Sequence, residues 1–304
     1  MPELDAQFSF DIPSVDPALR GLLMGGDAYS MSQDWWEDRR LFDTALDMTG
    51  VVKPNVLIVP TAVAKSAASH ERIVGGLTDY YTQRGADPSV LHPYMYRSAG
   101  DEPGALRGMA INPSKVPSQA ELSEKIEAAD LIFVAGGDTN RMLNQVWRPF
   151  GFDTKLLDAM RNGKVITGTS AGTIAWFDGG HTAGDSIVRR TAAGGLQYRY
   201  VKALGAISNT VVCPHFEATP KLHRSRETSF NDMMYRRRAL GELGLGMTAK
   251  VALQINPGGQ LAVIRGTGKG PAHITALHYR QAARKSRRTV TAHDGQFSLT
   301  DLVA

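Results

Sequence analysis

The chain has 304 residues, 42% hydrophobic and 21% charged, with a formal net charge of +4 and a single cysteine, Cys213. That length can bury a sizeable core unaided, and one cysteine excludes both an intramolecular disulfide framework and a cysteine-cluster metal site. No run approaches about eighteen uninterrupted apolar residues, which argues against a transmembrane helix, and Glu3, Asp5, Asp11 and Asp16 stand where a secretory signal would carry cations. A soluble, cytoplasmic protein is expected.

Short apolar runs that end in turn residues come first in chain order. Leu22-Leu23-Met24 runs into Gly25-Gly26, and residues 55–59 stop at Pro60. Residues 131–134 stop at Ala135-Gly136-Gly137, and Lys164-Val165-Ile166-Thr167 stops at Gly168. Each suits a buried parallel strand. Between them, 34–48, 70–84, 120–129 and 153–161 have helical length. Ile73, Leu77, Tyr80 and Tyr81 recur at helical spacing in the second of these. Such alternation predicts an α/β fold with a doubly wound, mainly parallel sheet.

After Gly179 the texture changes. Residues 210–213 read as a strand within a strand or hairpin region, and 228–240 as an arginine-rich helix. Residues 251–255 and 260–265 flank Asn256-Pro257-Gly258-Gly259, a hairpin turn. Residues 282–288 are basic, and the rest of the chain is polar and reads as loosely held. The expected organisation is an N-terminal extension over 1–20, a single α/β hydrolytic domain over 21–281 and a basic, polar tail over 282–304. The basic clusters at 224–238 and 280–288 read as solvated surface rather than as a nucleic-acid site, since zinc-finger spacing and RNA-binding aromatic strands are both absent.

The chemistry concentrates in Gly168-Thr169-Ser170-Ala171-Gly172, a Gly-x-Ser-x-Gly motif after a strand pattern and before a helical one. That is the setting of a nucleophile elbow, which lifts a serine hydroxyl out at a strand end. The amide of Ala171 then points toward a developing oxyanion. The same residues also suit a tight turn with an N-capping serine. Among eight histidines, His215 ends the strand pattern at 210–213 and is the candidate base. His181, close to Ser170 in sequence, is its rival. A carboxylate should fix the imidazole tautomer, and Asp178, Asp185 and Glu217 are the candidates. The turn Gly136-Gly137-Asp138-Thr139 could supply a second oxyanion amide. It is neither a dinucleotide fingerprint nor a P-loop.

Five segments together resemble the serine peptidase family of peptidase E (aspartyl dipeptidase) and cyanophycinase, whose fold resembles the class I glutamine amidotransferases. They are Leu23-Met24-Gly25-Gly26, the turn at 135–139, the elbow at 168–172, Trp176-Phe177 with Gly184-Asp185-Ser186, and Cys213-Pro214-His215-Phe216. The resemblance spans roughly 22–264. It implies Ser170 as nucleophile, His215 as general base, Asp185 as third member, and the amides of Gly137 (or Gly136) and Ala171 as oxyanion donors. It also implies a small peptide substrate, with an acidic residue that Arg224 or Arg226 could hold bidentately. No metal, organic cofactor, nucleic-acid or membrane partner is implied, and a homodimer stays open. Relatives often carry an acid after a late Gly-x-Gly turn, whereas 244–250 holds no carboxylate here. An esterase on the same elbow, or a silent binding protein that kept the scaffold, are the alternatives to a serine peptidase that acts through an acyl-enzyme.

Overall fold

The computed structural model describes residues 12–26, 39–63, 67–91, 96–97, 110–182, 189–190, 196–218, 225–267, 271–280 and 284–303. In chain order the main strands are β1 (Gly21–Met24), β2 (Asn55–Val59), β3 (Asp87–Val90), β4 (Leu131–Val134), β5 (Val165–Thr169), β6 (Phe177–Thr182) and β7 (Arg199–Lys202). Then follow β8 (Ile207–Cys213), β9 (Leu243–Met247), β10 (Val251–Ile255), β11 (Leu261–Arg265), β12 (Ile274–Arg280) and β13 (Arg284–Val290). The main α-helices among the described residues are α1 (Arg39–Asp47), α2 (Ala67–Gln83), α3 (Gln119–Ala128), α4 (Phe152–Arg161), α5 (Ala171–Ile174) and α6 (Arg226–Arg236).

The first sheet has seven strands in the order β11-β10-β1-β5-β4-β2-β3. Strands β1, β5, β4, β2 and β3 run parallel. The hairpin β10–β11 adds antiparallel strands beyond β1. The apolar runs are buried on both faces because successive side chains alternate. Leu22, Met24, Val56, Ile58, Leu131 and Phe133 face Leu41 and Phe42 of α1 and Leu77 and Tyr81 of α2. Their neighbours Leu23, Leu57, Ile132, Val134 and Ile166 face the opposite core, with Leu122 and Ile126 of α3 and Leu156 of α4. The sheet is therefore doubly wound, as the strand–helix alternation predicts. Each fully buried Leu, Ile or Phe contributes about 1.5–3 kcal/mol. Helix α3 starts where Ser118 Oγ accepts from the Glu121 amide at 3.2 Å, the serine half of a capping box.

A second seven-stranded sheet has the main order β7-β6-β8-β9-β12-β13. Strands β6, β8 and β9 are parallel, and the outer strands are antiparallel. One face packs into the α3–α4 core through Ile207, Val212, Leu243, Leu245 and Met247. The other is covered by α6, whose Phe230, Met233 and Met234 meet Val211, Cys213 and Leu277. Helix α6 begins earlier than its sequence pattern indicates, because Ser225 Oγ accepts from the Thr228 amide at 3.1 Å.

The described segments near each end, 14–19 and 284–302, are engaged more closely than the sequence suggests. Ser14–Val15 pairs with β8, and Leu19 is fully buried. The stretch expected to be a loose basic tail contains β13, paired with β12 along its whole length. Beyond it Phe297, Leu299 and Leu302 are buried in the main core. Short apolar anchors in a polar stretch escape a reading by composition. Among the described residues no helix is long and apolar enough to cross a membrane.

Candidate active site

Ser170 sits between β5 and α5 with φ 52° and ψ −108°. A side-chain-bearing residue in that region is strained by about 1–3 kcal/mol, as a nucleophile elbow requires. The turn is tight because Gly172 lies on the neighbouring strand end, where an added Cβ would stand 2.0 Å from the Val134 carbonyl oxygen. Thr173 Oγ1 pins the elbow, lying 2.6 Å from the Met24 carbonyl and 2.9 Å from that of Gly168. Ser170 itself is half-buried between buried Thr169 and Ala171. Ala171 is the first residue of α5, so its amide has no intrahelical acceptor. Helix α5 has only four residues, far shorter than the sequence pattern implies.

Val134 and Gly168 are partners in the β4–β5 ladder, so the turn after β4 lies beside the elbow. There the Asp138 amide donates to Ala62 O at 2.8 Å. Asp138 Oδ1 accepts from the Arg141 amide at 3.0 Å, which caps the following helical segment. Gly137 stands immediately before it.

His215 follows β8 in a turn that is also strained, with φ 53°. The end of β1 holds it in place. The His215 amide donates to Gly25 O at 2.8 Å, and the Ser170 amide donates to Met24 O at 3.3 Å. Gly26 lies directly against the imidazole, where an added Cβ would come within 2.1 Å of Cε1 and 2.3 Å of Nδ1. His215 Nε2 is 3.0 Å from Ser170 Oγ. With the proton on Nδ1, Nε2 accepts from the hydroxyl, the tautomer that general-base catalysis needs. The two side chains come from different sheets and meet over β1, rather than across neighbouring strands of one sheet.

The rival histidine is occupied elsewhere. His181 is fully buried. Its Nε2 is 3.0 Å from Ser229 Oγ and its Nδ1 3.4 Å from Cys213 Sγ. Burial, then the nearby Arg226 and Arg236 charges, hold its pKa well below the usual imidazole value. Burial pushes the Cys213 thiol up to about 11, so it is no substitute nucleophile. Asp178 accepts the Asn209 amide with Oδ2, and Glu217 Oε1 accepts the Ala249 amide at 2.8 Å. The Arg226 guanidinium is buried and donates to His181 O at 2.7 Å. Asp185 and Arg224 lie outside the described residues. What sequence reasoning missed is the use of Gly25-Gly26 as the bare ledge under the His215 ring. The paired glycines ending a strand were its only signal.

A strained serine on a strand–helix elbow, paired with a histidine and flanked by turn amides on an α/β scaffold, defines a serine hydrolase. The chain belongs to peptidase family S51, whose model matches residues 107–261, and it is a serine peptidase of the peptidase E type. It is 26% identical over 196 residues to "Uncharacterized peptidase YgaJ" of Bacillus subtilis (strain 168), covering 64% of this chain and 68% of that one. A peptidase structure from an acI-B1 Actinobacterium shares the fold at TM-score 0.61 and 16% identity, covering 93% of this chain and 98% of that one. A putative peptidase E structure from Listeria monocytogenes EGD-e matches at TM-score 0.51 and 17% identity, covering 81% of this chain and 98% of that one.

Proposed function

We propose that Ser170 and His215 hydrolyse a short peptide through an acyl-enzyme. The observation that carries this reading is the 3.0 Å approach of His215 Nε2 to Ser170 Oγ. Nε2 takes the hydroxyl proton as Oγ attacks the scissile carbonyl carbon. The amides of Gly137 and Ala171 donate to the resulting oxyanion, each such donor being worth about 10²–10³ in rate. His215 returns the proton to the leaving amine, and a water repeats the sequence on the acyl ester. Asp185 fills the role of the carboxylate that holds Nδ1–H. The peptide carries a carboxylate near the scissile bond, held by Arg224. Arg226 is the less suitable cation, since its buried guanidinium already serves His181 O.

A dipeptide library read by mass spectrometry, wild type against Ser170→Ala, tests the reaction. Loss of the nucleophile should remove activity by about a millionfold and leave the fold intact. Retention of more than a few per cent would end the assignment. Asp-Leu should be cleaved in preference to Leu-Leu, and Arg224→Ala should erase the difference. Equal rates on both would remove the acidic preference alone.

A further inference from the structure

We infer that Arg226 is a positioning residue that braces the oxyanion turn against the base, acting through the His181–Thr182 end of β6. The inference rests on the roles proposed for Gly137 and His215. It starts from an unusual placement. Arg226 is 7% exposed, and among the described residues no carboxylate forms an ion pair with it. Its Nε has no hydrogen-bond partner. Burying a cation this way costs several kcal/mol, so the geometry it maintains must matter.

That geometry is a circuit of hydrogen bonds between the two halves of the site. On one side the Arg226 amide donates to Ala218 O, and the Ala218 amide donates to His215 O, both at 2.9 Å. On the other side Arg226 donates to His181 O at 2.7 Å. The next residue, Thr182, places Oγ1 3.2 Å from Thr139 Oγ1, two residues beyond Gly137. Tyr198 completes the seat, with the guanidinium 5.1 Å from its ring centre and the His181 ring stacked at 4.8 Å. One residue, through its amide on one side and its buried side chain on the other, thereby couples the His215 turn to the segment that carries the Gly137 amide. Catalytic donors need placement within about 0.5 Å, and a displacement of about 1 Å can cost a hundredfold. His181 serves in this brace through its ring contacts to Ser229 and Cys213, rather than as a base.

The experiment uses the rate at which a small, uncharged fluorophosphonate labels Ser170, together with kcat and KM on a cleaved peptide. This probe has no carboxylate, so a residue that only grips an acidic substrate leaves its rate unchanged. The variants are Thr182→Val, which keeps the shape and loses the hydroxyl, Arg226→Gln and Arg226→Lys. The result expected is labelling and kcat about tenfold lower in Thr182→Val and Arg226→Gln, KM within about twofold of wild type, and partial recovery in Arg226→Lys. Wild-type labelling rates in folded Thr182→Val and Arg226→Gln overturn the brace, as does a raised KM with kcat unchanged. If Arg226→Gln fails to fold, Thr182→Val decides alone. Failure of the wild-type chain to label at all contradicts the assignment of Ser170 and is thereby told apart from failure of the brace.

Discussion

Ser170 and His215 are two of the three non-glycine residues with positive φ among the described residues. Strain of this kind persists where the surroundings over-determine it, and here both residues hang by their amides from the end of β1. Gly26 shows how little tolerance remains. In Gly26→Ala the new methyl would occupy space now held by Cε1 and Nδ1 of His215, and the half-exposed ring must swing away. The variant should stay folded by circular dichroism and lose at least about a hundredfold in kcat. Near-normal turnover would show that the ring does not depend on this ledge. The contact between Ser170 and His215 was legible because each carries a local signature, an elbow motif and a strand-end histidine. Gly26 was not, because the reason for it is a ring brought in from a distant part of the chain.

At the scale of elements, the parallel strands and their helices were legible because apolar runs and 3.6-residue periodicity are local properties. Three features were not. Helix α5 is cut to four residues because β6 must start at Phe177 to reach the second sheet. The π-helix Arg141–Trp147 depends on a backbone bonding pattern with no residue code. Strand pairing in the second sheet joins segments far apart in sequence. The buried end of β6 has a consequence for pH. His181 faces Arg226 and Arg236 from α6, Ser229 from α6, Cys213 from β8 and Tyr198, and its folded pKa lies below its unfolded value near 6.5. Its contribution to stability is therefore complete above about pH 6.5 and is lost as pH falls toward the depressed value, by up to about 1.4 kcal/mol per pH unit. Urea unfolding of wild type and His181→Gln between pH 7.5 and 5 should show a shallower acid loss in the variant. Parallel curves would mean that His181 is not the linked group. Cys213 is fully buried, and its thiol should react with an aromatic disulfide reagent only on unfolding. Rapid reaction in native buffer would contradict that burial.

Across the described residues, two sheets share one core and meet at the Ser170–His215 pair, each bringing one partner to the end of β1. The C-terminal stretch belongs to this arrangement. Phe297, Leu299 and Leu302 are at most 7% exposed, and burial of such side chains is worth about 1.5–3 kcal/mol each. A chain ending at Val290 should therefore lose about 5 kcal/mol or more, a large part of the 5–15 kcal/mol that holds a typical domain. Thermal unfolding will read this as a large fall in Tm, whereas an unchanged Tm would restore the loosely held tail that composition alone suggests. Polar composition hid these anchors, since three apolar residues among many polar ones form no periodic run. The proposed hydrolysis depends on one serine made reactive by one histidine from the other sheet. Its most direct measurement is fluorophosphonate labelling of wild type and His215→Ala, with the adduct mapped by mass spectrometry. The account predicts one adduct per chain, on Ser170, formed about a thousandfold more slowly in His215→Ala. An adduct elsewhere, or equal rates in the two chains, would contradict it.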